Sequence, residues 1–115
     1  MVINEDSMKM RIKKIKPKKI VKLMKSKDIF ILDVRPKDFK RDSSFIIGSV
    51  HCPLLDLTER YQEFPKDKDI VITDWAMRQS TLAAKYLKKE GFKVIGVLKG
   101  GIERWKHDNY PVENR

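Results

Sequence analysis

The chain has 115 residues with 26 Lys and Arg against 16 Asp and Glu, a formal net charge of +10, and 41% of its residues are hydrophobic. A chain of this length builds one domain that buries roughly 65% of its unfolded surface, and its apolar content excludes disorder as a description of the whole. The single cysteine, Cys52, excludes an intrachain disulfide and a zinc site made mainly of thiolates, and fits a reducing compartment. The apolar runs are too short to cross a membrane, and Met1 to Lys27 lacks the apolar centre of a secretory signal, so a cytoplasmic protein is expected.

In chain order, residues 1–9 show no periodicity and read as a flexible extension, residues 10–113 as the domain, and residues 114–115 as a tail. Met10 to Ile12 reads as a short edge strand and Pro17 to Lys25 as a helix. Pro17 suits the first turn of that helix, and Ile20, Leu23 and Met24 recur at helical spacing. Ile29 to Leu32 reads as a buried strand, Pro36 to Lys40 as a short helical turn, Ser49 to His51 as a brief strand and Asp56 to Tyr61 as a second turn. Ile70 to Thr73 is a further buried strand, Ser80 to Glu90 a helix stopped by Gly91, Val94 to Leu98 the last strand, and Gly101 to His107 the last helix. Wholly apolar strands alternating with helices predict an α/β domain in which helices cover both faces of a parallel sheet.

The charge is concentrated. Residues 1–27 hold ten basic side chains against Glu5 and Asp6, whereas residues 28–115 hold 16 basic and 14 acidic ones. Lys18, Lys19, Lys22 and Lys25 fall mostly off the apolar stripe of the first helix, which describes a solvated face. No aromatic residue lies among these lysines to stack a base, so nucleic acid is not the expected partner. A protein partner meeting this basic helix is one expectation. No cofactor is expected, and two histidines, His51 and His107, make no metal cluster with usable spacing.

In a parallel α/β sheet, ligands collect beyond the carboxyl ends of the strands, where loops meet helix N-termini. Three segments point there: Asp33-Val34-Arg35, His51-Cys52-Pro53, and the loop Asp74-Trp75-Ala76-Met77-Arg78-Gln79-Ser80, whose backbone amides precede a helix and suit an anion cradle.

The runs Ile31 to Arg35, Gly48 to Pro53, Ile70 to Asp74 leading into Ser80 to Leu87, and Gly100 to Trp105 with Pro111-Val112 resemble, in order and spacing, a single-domain rhodanese. The resemblance spans about residues 10 to 112. It implies a five-stranded parallel sheet flanked by helices and, in active members, a cysteine that takes sulfane sulfur from thiosulfate or a persulfide and passes it to a thiol or cyanide. In that family the nucleophile follows the fourth strand and opens a loop of the form Cys, two residues, often Gly, one residue, often Arg, then Ser. Here those places fall on Asp74, Met77, Gln79 and Ser80, with Arg78 one position early.

This reading expects a variant without the loop cysteine: a degenerate loop at residues 74–80, no catalytic residue, and an inactive homologue serving as a binding or regulatory module. A carboxylate is a poor sulfur nucleophile, and Asp74 is expected to satisfy the loop amides itself. Asp33 is expected to support the loop and Arg35 to be an ion-pair candidate. Trp75 and Met77 either project as an apolar knob for a partner or plug the pocket. The alternative is a thiosulfate or persulfide sulfurtransferase-related enzyme using Cys52 or a partner's cysteine. The sequence leaves the oligomeric state open.

Overall fold

The computed structural model describes residues 10–26, 28–37 and 43–114. Its elements are β1 (Lys14–Ile15), α1 (Pro17–Ser26), β2 (Ile29–Asp33), β3 (Ser44–Ile46), β4 (Val50–His51), α2 (Leu57–Arg60), β5 (Asp69–Thr73), α3 (Ser80–Lys89), β6 (Val94–Leu98), α4 (Gly101–His107) and β7 (Val112–Asn114). Two 3-10 turns, Leu54–Asp56 and Tyr61–Glu63, flank α2.

Five strands form one sheet in the order β1-β6-β5-β2-β4, every neighbouring pair parallel. Because successive strand side chains point to opposite faces, each strand feeds two cores. Leu32, Ile70, Ile72 and Val97 join Leu57 of α2 and Ala83, Ala84 and Leu87 of α3 on one face. Ile31, Val71 and Leu98 join Ile20 of α1 and Ile102 and Trp105 of α4 on the other. This is the five-stranded α/β architecture that the apolar strands and the family resemblance imply, with helices on both faces.

Local departures have physical causes. The edge strand is Lys14–Ile15, not Met10 to Ile12. Val97 donates to the carbonyl of Lys13 at 2.9 Å, and a side chain at Gly96 would come within 2.5 Å of that same oxygen. Only glycine lets the edge strand close here, so the docking point lies beyond Ile12, whose side chain packs against the first core instead. Ser44–Ile46 and Val112–Asn114 pair antiparallel in a separate two-stranded sheet that local periodicity does not reveal, with Ser44 opposite Asn114. The turn read at Pro36 to Lys40 forms no helix at Pro36 and Lys37, and its remaining residues lie outside the described ones. The extension at 1–9 and Arg115 lie outside them too.

Candidate active site

The registers Asp33 opposite His51 and Asp33 opposite Thr73 bring three loops to one end of the sheet. Cys52 donates its amide to the carbonyl of Asp33 at 2.9 Å, and Val34 donates to the carbonyl of Thr73 at 2.9 Å. With parallel strands about 4.8 Å apart, the backbones at 52 and 74 stand roughly 10 Å from each other across β2.

The β2 loop is an ion-pair strut. Asp33 has no exposed surface and Arg35 almost none. Arg35 Nη2 donates to Asp33 Oδ2 at 2.7 Å, its Nε to both carboxylate oxygens at 3.1 Å, and its backbone N to Oδ1 at 3.1 Å. Nη2 also donates to the carbonyl of Ser44 at 2.7 Å, which ties the small sheet to the large one. His51 donates from Nε2 to the carbonyl of Arg35 at 2.8 Å and so holds the strut to β4.

The β5 loop closes on its own first residue. Asp74 is buried, and its Oδ1 accepts from the amide of Met77 at 2.6 Å. Its Oδ2 accepts from the amides of Gln79 at 2.5 Å and Ser80 at 3.1 Å. Charge-assisted bonds of this kind are the strong ones, and the carboxylate also faces the positive end of α3. Met77 takes φ +66°, a left-handed conformation that costs a non-glycine residue about 1–2 kcal/mol. On the other side, the amides of Ile102 and Glu103 donate to the carbonyls of Asp74 and Trp75 at 2.8 and 3.0 Å. A side chain at Gly101 would come within 2.3 Å of the Trp75 carbonyl, so glycine is required for this contact. Trp75 packs half-buried against the α1–α4 core, and the hydroxyl of Ser80 is buried without a hydrogen-bond partner.

Outside this loop lies a cavity of about 160 Å³ lined by Arg35, Pro36, Asp74, Trp75, Arg78 and Gln79. A larger recess of about 350 Å³ adjoins it, bounded by Pro36, Lys37, Pro53, Leu54, Leu55 and Gln79. Leu55, at 93% exposure, stands at its edge.

In the β4 loop, Cys52 is the chain's only thiol and is buried against Leu32, Val34 and Leu57. Its Sγ lies 3.8 Å from the carbonyl of Pro53. Burial pushes the thiol pKa up, the Arg60 guanidinium pulls it down, and Asp56 and Glu63 push it up again. Arg60 Nη1 donates to the carbonyl of His51 at 3.3 Å, which fixes this cation beside the cysteine turn. Among the described residues, no group of three or more His, Cys, Asp and Glu side chains could hold a metal ion.

The family model for the rhodanese-like domain matches residues 16–108. The chain belongs to the rhodanese-like family. It is 32% identical over 84 residues to the thiosulfate sulfurtransferase GlpE of Coxiella burnetii, covering 73% of this chain and 78% of the relative. It is 28% identical over 92 residues to a sulfurtransferase of Allochromatium vinosum, covering 79% and 84%. The crystal structure of a rhodanese-related protein from Thermoplasma volcanium superposes with a TM-score of 0.78 at 26% identity, covering 88% of this chain and 97% of that one.

These relatives correct the expectation of a rhodanese-like variant without its site cysteine and inactive as an enzyme. Two of them are named sulfurtransferases and are matched over 78% and 84% of their length, and Cys52 occupies the loop between β4 and the following helical turn. The inactive binding-module reading falls with it. The parallel register gathers the β2, β4 and β5 loops of this rhodanese-like domain into one rim.

Proposed function

We propose that this rhodanese-like domain is a sulfurtransferase-related enzyme that handles sulfane sulfur, with Cys52 as its own sulfur-accepting thiol. The observation that carries the reading is the similarity to a named thiosulfate sulfurtransferase over 78% of that protein's length, in a chain whose sole thiol stands at the ligand-collecting end of the sheet.

In the reaction, the Cys52 thiolate attacks the outer sulfur of thiosulfate. The sulfur–sulfur bond breaks and sulfite leaves with the electron pair, leaving a persulfide on Cys52. Cyanide or an acceptor thiolate then attacks the terminal sulfur, the product departs, and the Cys52 thiolate is restored. Arg60 favours the thiolate at both stages, and Arg78 brings positive charge to the neighbouring cavity wall. The buried thiol meets substrate when the turn Leu54–Asp56, beside the 350 Å³ recess, moves aside. A free thiol of this kind belongs in a reducing compartment, and we place the protein in the cytoplasm. Among the described residues, no helix is long and apolar enough to cross a membrane.

Thiocyanate formation from thiosulfate and cyanide tests the reading. Activity above a heat-killed control that disappears in Cys52→Ser supports it, and no activity in the wild type refutes it. The complete burial of Cys52 favours a second reading, in which a partner's cysteine brings the persulfide to the 160 Å³ cavity. In that case Cys52→Ser retains transfer when a persulfidated thiol protein is supplied, and wild type and variant behave alike.

A further inference from the structure

Away from the rim cavity, a groove of about 250 Å³ runs between the start of α1, the end of β6 and the outer side of α4. Its charged lining is Lys16, Lys18, Lys99 and Arg104 with one carboxylate, Asp108, and the Tyr110 ring closes one wall. All four cationic side chains are exposed. The pairing of Ile15 with Leu98, with the amide of Lys99 donating to the carbonyl of Ile15 at 2.8 Å, sets Lys16 and Lys99 on neighbouring strand ends. Like charges placed this way repel, and an occupant of opposite sign relieves the repulsion. Asp108 does not neutralise the three lysines, because it accepts from Arg104 Nε at 3.0 Å, and that pair together with His107 holds its carboxyl below the usual range. Residues 10–26 hold eight basic side chains, Lys16 and Lys18 among them, and no acidic one.

We infer that this groove docks an acidic, Asp- or Glu-rich segment of a partner protein. The cations come from three elements and stand around an open groove, which fits an extended chain of carboxylates rather than a lone ion. Nucleic acid fits less well: the Tyr110 ring packs on Trp105 at 5.0 Å between centroids and is not free to stack a base. The location gives the docking a consequence. Gly101 follows Lys99 and Gly100, and the first turn of α4 donates to the carbonyls of Asp74 and Trp75, so the backbone that carries the groove is joined to the loop that lines the rim cavity. Docking here is independent of which thiol carries the sulfur.

The test is fluorescence anisotropy with a labelled oligoglutamate peptide at low salt. A Lys16→Glu/Lys18→Glu/Lys99→Glu variant is compared with Lys88→Glu/Lys89→Glu/Lys93→Glu, which changes the net charge equally elsewhere on the surface. The groove variant is expected to bind at least about tenfold more weakly than wild type and the control within about threefold. Gln substitutions at the three groove positions are expected to weaken binding by an intermediate factor. Thermal melts confirm that each variant folds. Equal losses in the two charge-reversal variants, or no peptide binding by the wild type, overturn the proposal. So does tighter, groove-dependent binding of an oligonucleotide of the same charge.

Discussion

The β5 and β4 loops lie one strand apart on either side of β2 and treat their reactive groups in opposite ways. In the β5 loop, the amides of Met77, Gln79 and Ser80 converge on a carboxylate that the loop itself supplies. In the β4 loop, a thiol is withdrawn into the apolar core and only its backbone joins the rim. The first loop is ordered by polar satisfaction and the second by packing. A buried amide without an acceptor is costly, while a buried thiol needs no partner. Rigidity at the β5 loop therefore depends on one carboxylate and its donors, whereas Cys52 at the β4 loop is held by apolar contacts.

Variants can break this contrast. The largest effect is expected at the β2 strut that stands between the two loops: Arg35→Leu strands the buried Asp33 carboxylate and is expected to lower stability by about 3–5 kcal/mol in urea unfolding. Asp74→Ala leaves three loop amides without their acceptor and is expected to cost about 2–3 kcal/mol by the same measurement. Asp74→Asn, which keeps one strong acceptor, is expected to lose less. If Asp74→Ala is as stable as the wild type, the β5 loop is not held by its carboxylate. Met77→Gly removes the left-handed penalty but adds unfolded-chain entropy, for an expected net gain of about 0.5 kcal/mol.

The pH dependence sharpens the β4 side. Burial raises the Cys52 pKa in the folded state, so at rising pH the unfolded chain loses this proton first. The cysteine's contribution is complete below the unfolded thiol's pKa and declines as pH rises toward the folded value. Cys52→Ala is expected to flatten that alkaline decline in a series of unfolding curves. Alkylation of Cys52 is also expected to be slower than for the unfolded chain and to accelerate with pH. A rate equal to that of a free thiol at neutral pH would show that the turn is already open.

Much of the fold was legible because its signals are local. The apolar runs at 29–32, 70–73 and 94–98 and the stripe of Leu82, Ala83, Tyr86 and Leu87 read directly as strands and helix, and the structure extends the first two strands by one residue to Asp33 and Asp69. The edge strand escaped because two residues carry too little periodicity, and its position is decided by Gly96 admitting the Lys13 carbonyl. The β3–β7 pair escaped because it joins segments almost seventy residues apart in the chain. At the site, the sequence marks Asp33, Arg35, Cys52 and the 74–80 loop as residues that follow strands. It does not show that Arg35 turns back to Asp33 and across to Ser44.

The alternation of apolar strands with helical stripes, the lone cysteine and the clustered lysines establish by themselves an α/β domain with one thiol and a basic segment within residues 1–27. Tertiary structure decided what those features face. Parallel register gathers three loops at one rim, core packing buries the thiol beside that rim, and the β1–β6 pairing brings Lys99 to the same groove as Lys16 and Lys18. The reason is range: hydrophobic period and turn chemistry act over a few residues, whereas burial and charge environment are properties of segments that meet only when the sheet has formed.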